Sequence, residues 1–366
     1  MRVIMASGGT GGHIYPAIAI ADKLMERDPK TEILFVGNKL GYESEFVPKN
    51  GYMLEMIPAA YVEKKNFGQG VKGVVTTLSG KRKAVKIMKA FKPDVVIGTG
   101  GYASVPAILA AHSYGARIIL HEQNAYPGIA NRVFEKYAEK VFLGFKDASK
   151  FLKYPEKHMC VGNPVRKVFS CVDRSNARLK LKIPKDDFVV FSFAGSQGSM
   201  IINSVFEKTI SDIDDRSGFT FLFGTGKRNL DIMKTALDRD GISIDDKVRV
   251  ENYIDDIVDY YAASDLVISR SGALTVAEIA AAGRACILIP YAKSAGNHQY
   301  FNARSVTDSG GGILIEESGF TAERLVNEIM RLKTYPEVLR EMEKASRSCA
   351  NPDSADKMVD IIFNNQ

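Results

Sequence analysis

Tryptophan is absent from this chain of 366 residues, and cysteine is scarce. The four cysteines, Cys160, Cys171, Cys286 and Cys349, form no C-x-x-C pair, and none stands at a metal-ligand spacing from a histidine. A disulfide framework and a zinc site are thereby excluded by pattern, and a reducing compartment fits. No uninterrupted apolar stretch is long enough to span a bilayer. The short apolar run that precedes the glycines in MRVIMASGGTGG is too brief for a secretory leader. Nothing in the pattern argues for a metal or a cofactor.

Acidic residues are missing from one long segment. Between Lys64 and Lys92 stand nine basic residues and no acidic one, so against an overall charge of +6 the rest of the chain is net −3. A protein that binds nucleic acid would be basic more evenly, whereas a single basic segment points to one local anionic surface. Val71, Val74, Val75, Leu78, Val85 and Met88 recur through it near helical spacing, with Gly73 and Gly80 as interruptions. A basic amphipathic stretch of this kind reads as an element that lies on an anionic membrane. The competing reading is a solvated helix whose apolar side faces the core.

What is abundant is glycine, at 31 residues. Short β-branched runs alternate with helical patterns from end to end. Val3–Met5, Ile33–Val36, Val95–Ile97, Arg117–Leu120 and Val141–Leu143 fall in the first half, and Phe188–Phe193, Thr220–Phe223, Val248–Val250, Leu266–Ile268, Cys286–Ile289 and Ile313–Ile315 in the second. They are continuous rather than alternating, as parallel strands buried on both faces are. The pattern predicts an α/β fold with two doubly wound sheets, because so many strands in one open sheet would be unusual. Gly and Pro in GNPVRK, Gly162 to Lys167, punctuate the chain there. The expected domains are 1–163 and 164–351, with a last helix, 352–366, packing back on the first.

Three glycine-rich loops follow predicted strands and open predicted helices: Ser7 to His13, Gly98 to Tyr102, and Ala194 to Ser199. At such a turn the main-chain N–H groups and the positive end of the helix dipole face one crevice, which suits a phosphate. Neither familiar nucleotide fingerprint fits. A G-x-G-x-x-G reading fails because Gly9 and Gly11 are followed by Ile14. A Walker A reading fails because Gly226-Lys227 is followed by Arg228, with Phe221 at the first glycine position.

Other polar groups gather at strand ends. His13 closes the first glycine loop, and a histidine there suits a base that takes a hydroxyl proton. A structural or sugar-positioning role is its rival. HEQN, His121 to Asn124, ends a strand with four polar groups, and a core strand does not normally end so without a ligand or a network. Glu278, in SRSGALTVAE, can face the crevice one turn into its helix or be a solvated helix residue. GNHQYFNA, Gly296 to Ala303, places amide and imidazole groups in a helix's first turn.

Taken in order, GGTGGHIYPAIAIA, VIGTGGYASVPAILAA, LHEQNAYPGIANR, VGNPVR, SQGSMIIN, SRSGALTVAE and HQYFNA resemble the MurG-type family of bacterial peptidoglycan N-acetylglucosamine transferases. The resemblance runs from the first strand to at least Ala303. It implies a GT-B fold, two Rossmann-like domains facing a cleft. It implies inverting transfer of N-acetylglucosamine from UDP-N-acetylglucosamine to the 4-hydroxyl of undecaprenyl-pyrophosphoryl-N-acetylmuramyl-pentapeptide. The expected place is peripheral, on the cytoplasmic face of the cell membrane, with the basic segment 64–92 read above as the part that meets the anionic surface and other cell-wall enzymes as possible partners. By motif match, Thr10, Gly11, Gly12, Asn124, Arg166, Ser196, Ile254, Ala273, Leu274, Thr275, Val276, Ala277, Glu278 and Gln299 would contact the donor. Within that set Ile254 would border the uracil, Glu278 the ribose, Ser196 the phosphates, and Gln299 the sugar hydroxyls. His13 would be the base, and Gly9, Gly100, Gly101 and Tyr102 would receive the acceptor's pyrophosphate. Ala194 and His298 depart from the pattern, where the family often has Gly and Gln.

Two other functions remain open on the residues alone. A UDP-sugar 2-epimerase on a similar fold would have no use for the basic apolar segment. A non-catalytic UDP-sugar-binding protein would need no polar loops in the first half.

Overall fold

The computed structural model describes residues 1–39, 41–60, 67–195 and 197–364. The chain divides into two compact units, Met1–Val165 with Asp353–Gln366, and Arg166–Pro352.

Unit 1 runs β1 (Arg2–Ser7), α1 (Gly11–Arg27), β2 (Glu32–Gly37), α2 (Glu43–Lys49), β3 (Met53–Met56), α3 (Phe67–Phe91), β4 (Val95–Gly100), α4 (Val105–Tyr114), β5 (Arg117–Glu122), α5 (Ile129–Phe134), β6 (Lys140–Leu143) and β7 (His158–Cys160). Its strands pair in parallel in the order β3-β2-β1-β4-β5-β6-β7. The four central strands, β2, β1, β4 and β5, are buried almost throughout, because helices cover both faces. Two strands have no continuous apolar run to announce them. β3 is half exposed along its length, and β7 is held at the edge by side chains. There His158 Nε2 lies 2.6 Å from Glu135 Oε1, and the same buried carboxylate accepts the Lys153 and Tyr154 N–H groups.

Unit 2 runs α6 (Arg174–Lys180), β8 (Phe188–Phe193), α7 (Met200–Asp212), β9 (Phe219–Gly224), α8 (Leu230–Arg239), β10 (Val248–Glu251), α9 (Ile257–Ala263), β11 (Leu266–Ser269), α10 (Ala273–Ala282), β12 (Ala285–Leu288), α11 (His298–Thr307), β13 (Gly312–Leu314), α12 (Ala322–Thr334) and α13 (Pro336–Ser348). The order β10-β9-β8-β11-β12-β13 is again parallel. Both sheets are doubly wound, the architecture of the two GT-B domains. Strand order reverses between β1 and β4 in one and between β8 and β11 in the other. Ligands in such sheets bind beyond the strands' carboxyl ends at that reversal.

The last helix, α14 (Ser354–Asn364), returns to unit 1. It lays Met358, Val359 and Ile362 into the core beneath α1, and Lys23 pairs with Asp356 at 2.8 Å. On the opposite face of the first sheet, α3 packs along α4. Its buried side carries Gly73, Gly80, Ala84 and Met88, and its outward side carries Val74, Val75 and Leu78 at 47%, 60% and 50% exposure. Gly80 is needed there, since a Cβ would stand 1.9 Å from the Pro58 carbonyl oxygen.

Candidate functional site

In unit 1 the first two glycine loops leave β1 and β4, the two strands that flank the reversal, and they touch. Gly101 has φ 78°, and a Cβ there would lie 2.1 Å from the Gly8 carbonyl oxygen, so only glycine allows the approach. Thr10 caps α1 with extended backbone and no side-chain hydrogen bond, and its first turn holds Gly11, Gly12 and no acidic residue. The positive end of the dipole is thus left without a carboxylate of its own, as an anion site requires. Behind the loop, the fully buried Glu43 accepts the Gly9 N–H at 3.0 Å and the Asn38 N–H at 2.7 Å. Burial, helped by the Glu43 charge, raises the phenol of Tyr102, which lies beside these loops.

His13 is partly exposed in the first turn of α1. Its Nδ1 lies 3.0 Å from the Thr99 carbonyl and 3.0 Å from Gln123 Oε1, while Thr99 Oγ1 donates to the His13 carbonyl at 2.8 Å. HEQN is therefore held in a network, with His121 Nε2 the buried atom in it that has no hydrogen-bond partner among the described residues. Glu122 accepts the Asn124 main-chain and side-chain N–H groups at 2.9 and 3.2 Å, the Gly128 N–H at 2.9 Å and Asn131 Nδ2 at 2.8 Å. His121 is fully buried, and that burial, followed by the neighbouring His13 charge, pushes its imidazole down to about 3. Gly9, Thr10, Gly11, Gly12, His13, Gly100, Gly101, Tyr102 and Asn124 thus all lie at carboxyl ends of one sheet.

In unit 2 the third glycine loop leads from β8 into α7, whose first turn also lacks an acidic residue. Ser196 lies outside the described residues. Asn229 Nδ2 donates to the Thr225 carbonyl at 3.0 Å, and Ser199 Oγ accepts from Arg270 Nη2 at 2.8 Å. Ala194 is not among the residues with positive φ, so its methyl group is accommodated. Gly272 caps α10, and Ala273, Leu274, Thr275, Val276, Ala277 and Glu278 form its first turn and a half, with Ala273 and Val276 turned inward. Desolvation pushes the Glu278 carboxyl up to about 7, against the pull of the Arg166 charge and a hydrogen bond from the Tyr261 hydroxyl at 3.3 Å. Ile254 is buried next to the end of β9. Gln299 Oε1 accepts the Tyr291 N–H at 2.9 Å, and Ser271 Oγ donates to the Gln299 carbonyl at 2.7 Å. His298 Nδ1 donates to the Ala295 carbonyl at 2.9 Å.

Comparison with known proteins decides among the readings. The Glycosyltransferase family 28 N-terminal domain matches residues 3–143, and the family's C-terminal domain matches residues 189–358. The UDP-N-acetylglucosamine–N-acetylmuramyl-(pentapeptide) pyrophosphoryl-undecaprenol N-acetylglucosamine transferase of Alkaliphilus oremlandii is 39% identical, over 98% of this chain and 97% of its own. The chain belongs to glycosyltransferase family 28. Among solved structures, Acinetobacter baumannii MurG aligns over 99% of both chains with TM-score 0.80 and 25% identity. A putative UDP-N-acetylglucosamine 2-epimerase from Listeria monocytogenes aligns over 100% of this chain and 96% of its own with TM-score 0.72. At 14% identity that likeness shows a shared fold alone.

The structure adds residues that the family 28 motifs did not single out. Glu43 ties the first loop to the end of β2, and Arg270 ties the third loop to the end of β12 through the Ile289 and Pro290 carbonyls at 3.1 and 3.3 Å and pairs with Glu317 at 2.6 Å. Arg270 stands inside SRSGALTVAE, so its neighbourhood was marked. Glu43 follows an ordinary loop, and nothing local to it signals its partners.

Proposed function

We propose that this family 28 glycosyltransferase moves N-acetylglucosamine from UDP-N-acetylglucosamine to the 4-hydroxyl of undecaprenyl-pyrophosphoryl-N-acetylmuramyl-pentapeptide, in peptidoglycan synthesis. The observation that carries this reading is the 39% identity to a transferase of that name along nearly the whole chain. Unit 1 takes the lipid-linked acceptor, and unit 2 takes most of the donor. Glu278 holds the ribose, and Ile254 borders the uracil. Ser196, the α7 N-terminus and the Arg166 guanidinium meet the diphosphate, and Gln299 reads the sugar.

The reaction is a direct displacement. The acceptor's 4-hydroxyl oxygen forms a bond to the anomeric carbon while the bond from that carbon to the diphosphate breaks. His13 takes the hydroxyl proton, the anomeric configuration inverts, and the departing UDP carries the new negative charge. A helix N-terminus and a guanidinium stabilise that charge where it develops.

No helix among the described residues is long and apolar enough to cross a membrane. The outward Val74, Val75 and Leu78 of α3, among its lysines, support peripheral attachment to the cytoplasmic face.

The test is transfer of labelled sugar from UDP-N-acetylglucosamine to a short-chain analogue of the lipid acceptor. Transfer is expected, and His13→Ala should lower kcat by about 10²–10⁴-fold with donor affinity unchanged. Epimer formation from the donor alone, without transfer, would replace this reading with the epimerase one. Full turnover in His13→Ala would remove the histidine from its role.

A further inference from the structure

A histidine that accepts a proton must present a bare ring nitrogen, and which nitrogen is bare depends on what the other one touches. Around His13 that choice is set by groups whose roles are fixed. The Thr99 carbonyl can only accept. Gln123 Nε2 lies 2.8 Å from it, and exchanging the ends of the amide would set two oxygens against each other. Gln123 Nε2 also lies 3.0 Å from His121 Nδ1, which therefore accepts, so His121 is neutral with its proton on Nε2. With both amide hydrogens committed, Gln123 Oε1 faces His13 Nδ1 at 3.0 Å, and the Thr99 carbonyl faces the same atom at 3.0 Å. Two acceptors on one ring nitrogen require that it carry the hydrogen.

We infer that Gln123 is a positioning residue, which together with the Thr99 carbonyl keeps the His13 proton on Nδ1 and leaves Nε2 as the lone pair that receives the acceptor's hydroxyl proton. The inference rests on the reading of His13 as the base. The proton passes from the 4-hydroxyl to Nε2, the Nδ1 proton stays where it was, and two neutral oxygens meet the positive charge of the ring. A carboxylate does this work in serine hydrolases; here a buried amide does, and Gln123 is only 1% exposed. Its anchorage is equally buried, since His121 is 0% exposed and lies on the strand end that Gln123 follows.

Nitrogen NMR of the full chain labelled at histidine tests this directly, with the His13 signals assigned by their loss in His13→Ala. In the wild-type protein, neutral His13 should show a protonated Nδ1 and a bare Nε2; the opposite tautomer as the main form overturns the inference without any variant. Gln123→Met, of similar length but without the acceptor, should give a mixture of the two tautomers. In that variant kcat should fall about tenfold, with KM for UDP-N-acetylglucosamine within about twofold of wild type. A fall in kcat with the tautomer unchanged, or no change in either, overturns it as well. The reading of His13 as base fails separately: His13→Ala would then turn over normally, whatever tautomer the wild-type ring adopts.

Discussion

At the scale of single residues, Glu278 gives the site a dependence on pH. Its carboxyl is pushed up to about 7 from an ordinary 4.5, first by desolvation, with Arg166 and Tyr261 pulling the other way. Ribose hydroxyls donate more strongly to the ionised form. Binding of UDP-N-acetylglucosamine should therefore tighten as the pH rises through about 7 and release a proton near pH 6, while Glu278→Gln should bind with little dependence on pH. Calorimetry in buffers of different ionisation enthalpy measures both effects, and equal pH dependence in the variant would sink the assignment. The folded empty protein holds this proton between about 4.5 and 7, where the unfolded chain has released it, so this group's contribution to stability falls as the pH rises across that window. The positions of His13 and Glu278 were legible because each stands just beyond a β-branched run and a glycine turn. The roles of Glu43 and Gln123 were not. Gly9 and Glu43 are 34 residues apart, and His13 and Gln123 are 110 apart, and no local pattern encodes a contact at that distance.

At the scale of elements, sequence and structure agree best where strands are buried on both faces and least at the edges. The central runs of both sheets announce themselves by continuous apolar residues. β3 alternates exposed and half-buried positions over four residues, and β7 has three residues, so neither leaves such a trace. Helix α3 shows the opposite case, in which a pattern was visible but its faces were not. Gly73 and Gly80, which interrupt its apolar spacing, line the side packed toward the protein with Ala84 and Met88, and Val74, Val75 and Leu78 point away. An exposed apolar stripe among lysines fits insertion into the headgroup region of an anionic bilayer. Replacing Val75 and Leu78 with Ser should lower binding to phosphatidylglycerol vesicles by about tenfold or more, given about 1.5–3 kcal/mol for each fully buried apolar side chain. Thermal stability should stay unchanged, because neither side chain is buried in the protein. Cosedimentation with vesicles reads the first effect, and equal binding by the variant would remove α3 as the anchor.

At the scale of the whole molecule, the alternation of strand and helix was enough to foresee two doubly wound sheets, since each is built from the same repeated unit. The return of α14 was only suggested by its amphipathic spacing, because the core that receives it lies at the other end of the sequence. Met358, Val359 and Ile362 are each at most 2% exposed in that core. Ending the chain at Pro352 should therefore destabilise unit 1 by about 5 kcal/mol, taking about 1.5–3 kcal/mol for each of the three. Unit 2 should keep its stability. Calorimetry would show one transition shifted down and one unmoved; two unmoved transitions would mean that the helix contributes nothing.

The same return has a consequence for how the protein is made. Unit 1 leaves the ribosome first, yet its hydrophobic interior stays open on one side until every residue of unit 2 has been translated. At about 5–20 residues per second, the unfinished half waits roughly 10–40 s for its final piece. Throughout that interval the groove on α1 that α14 will fill is exposed to whatever else is nearby, which makes the nascent chain, rather than the finished enzyme, the form most in need of a chaperone.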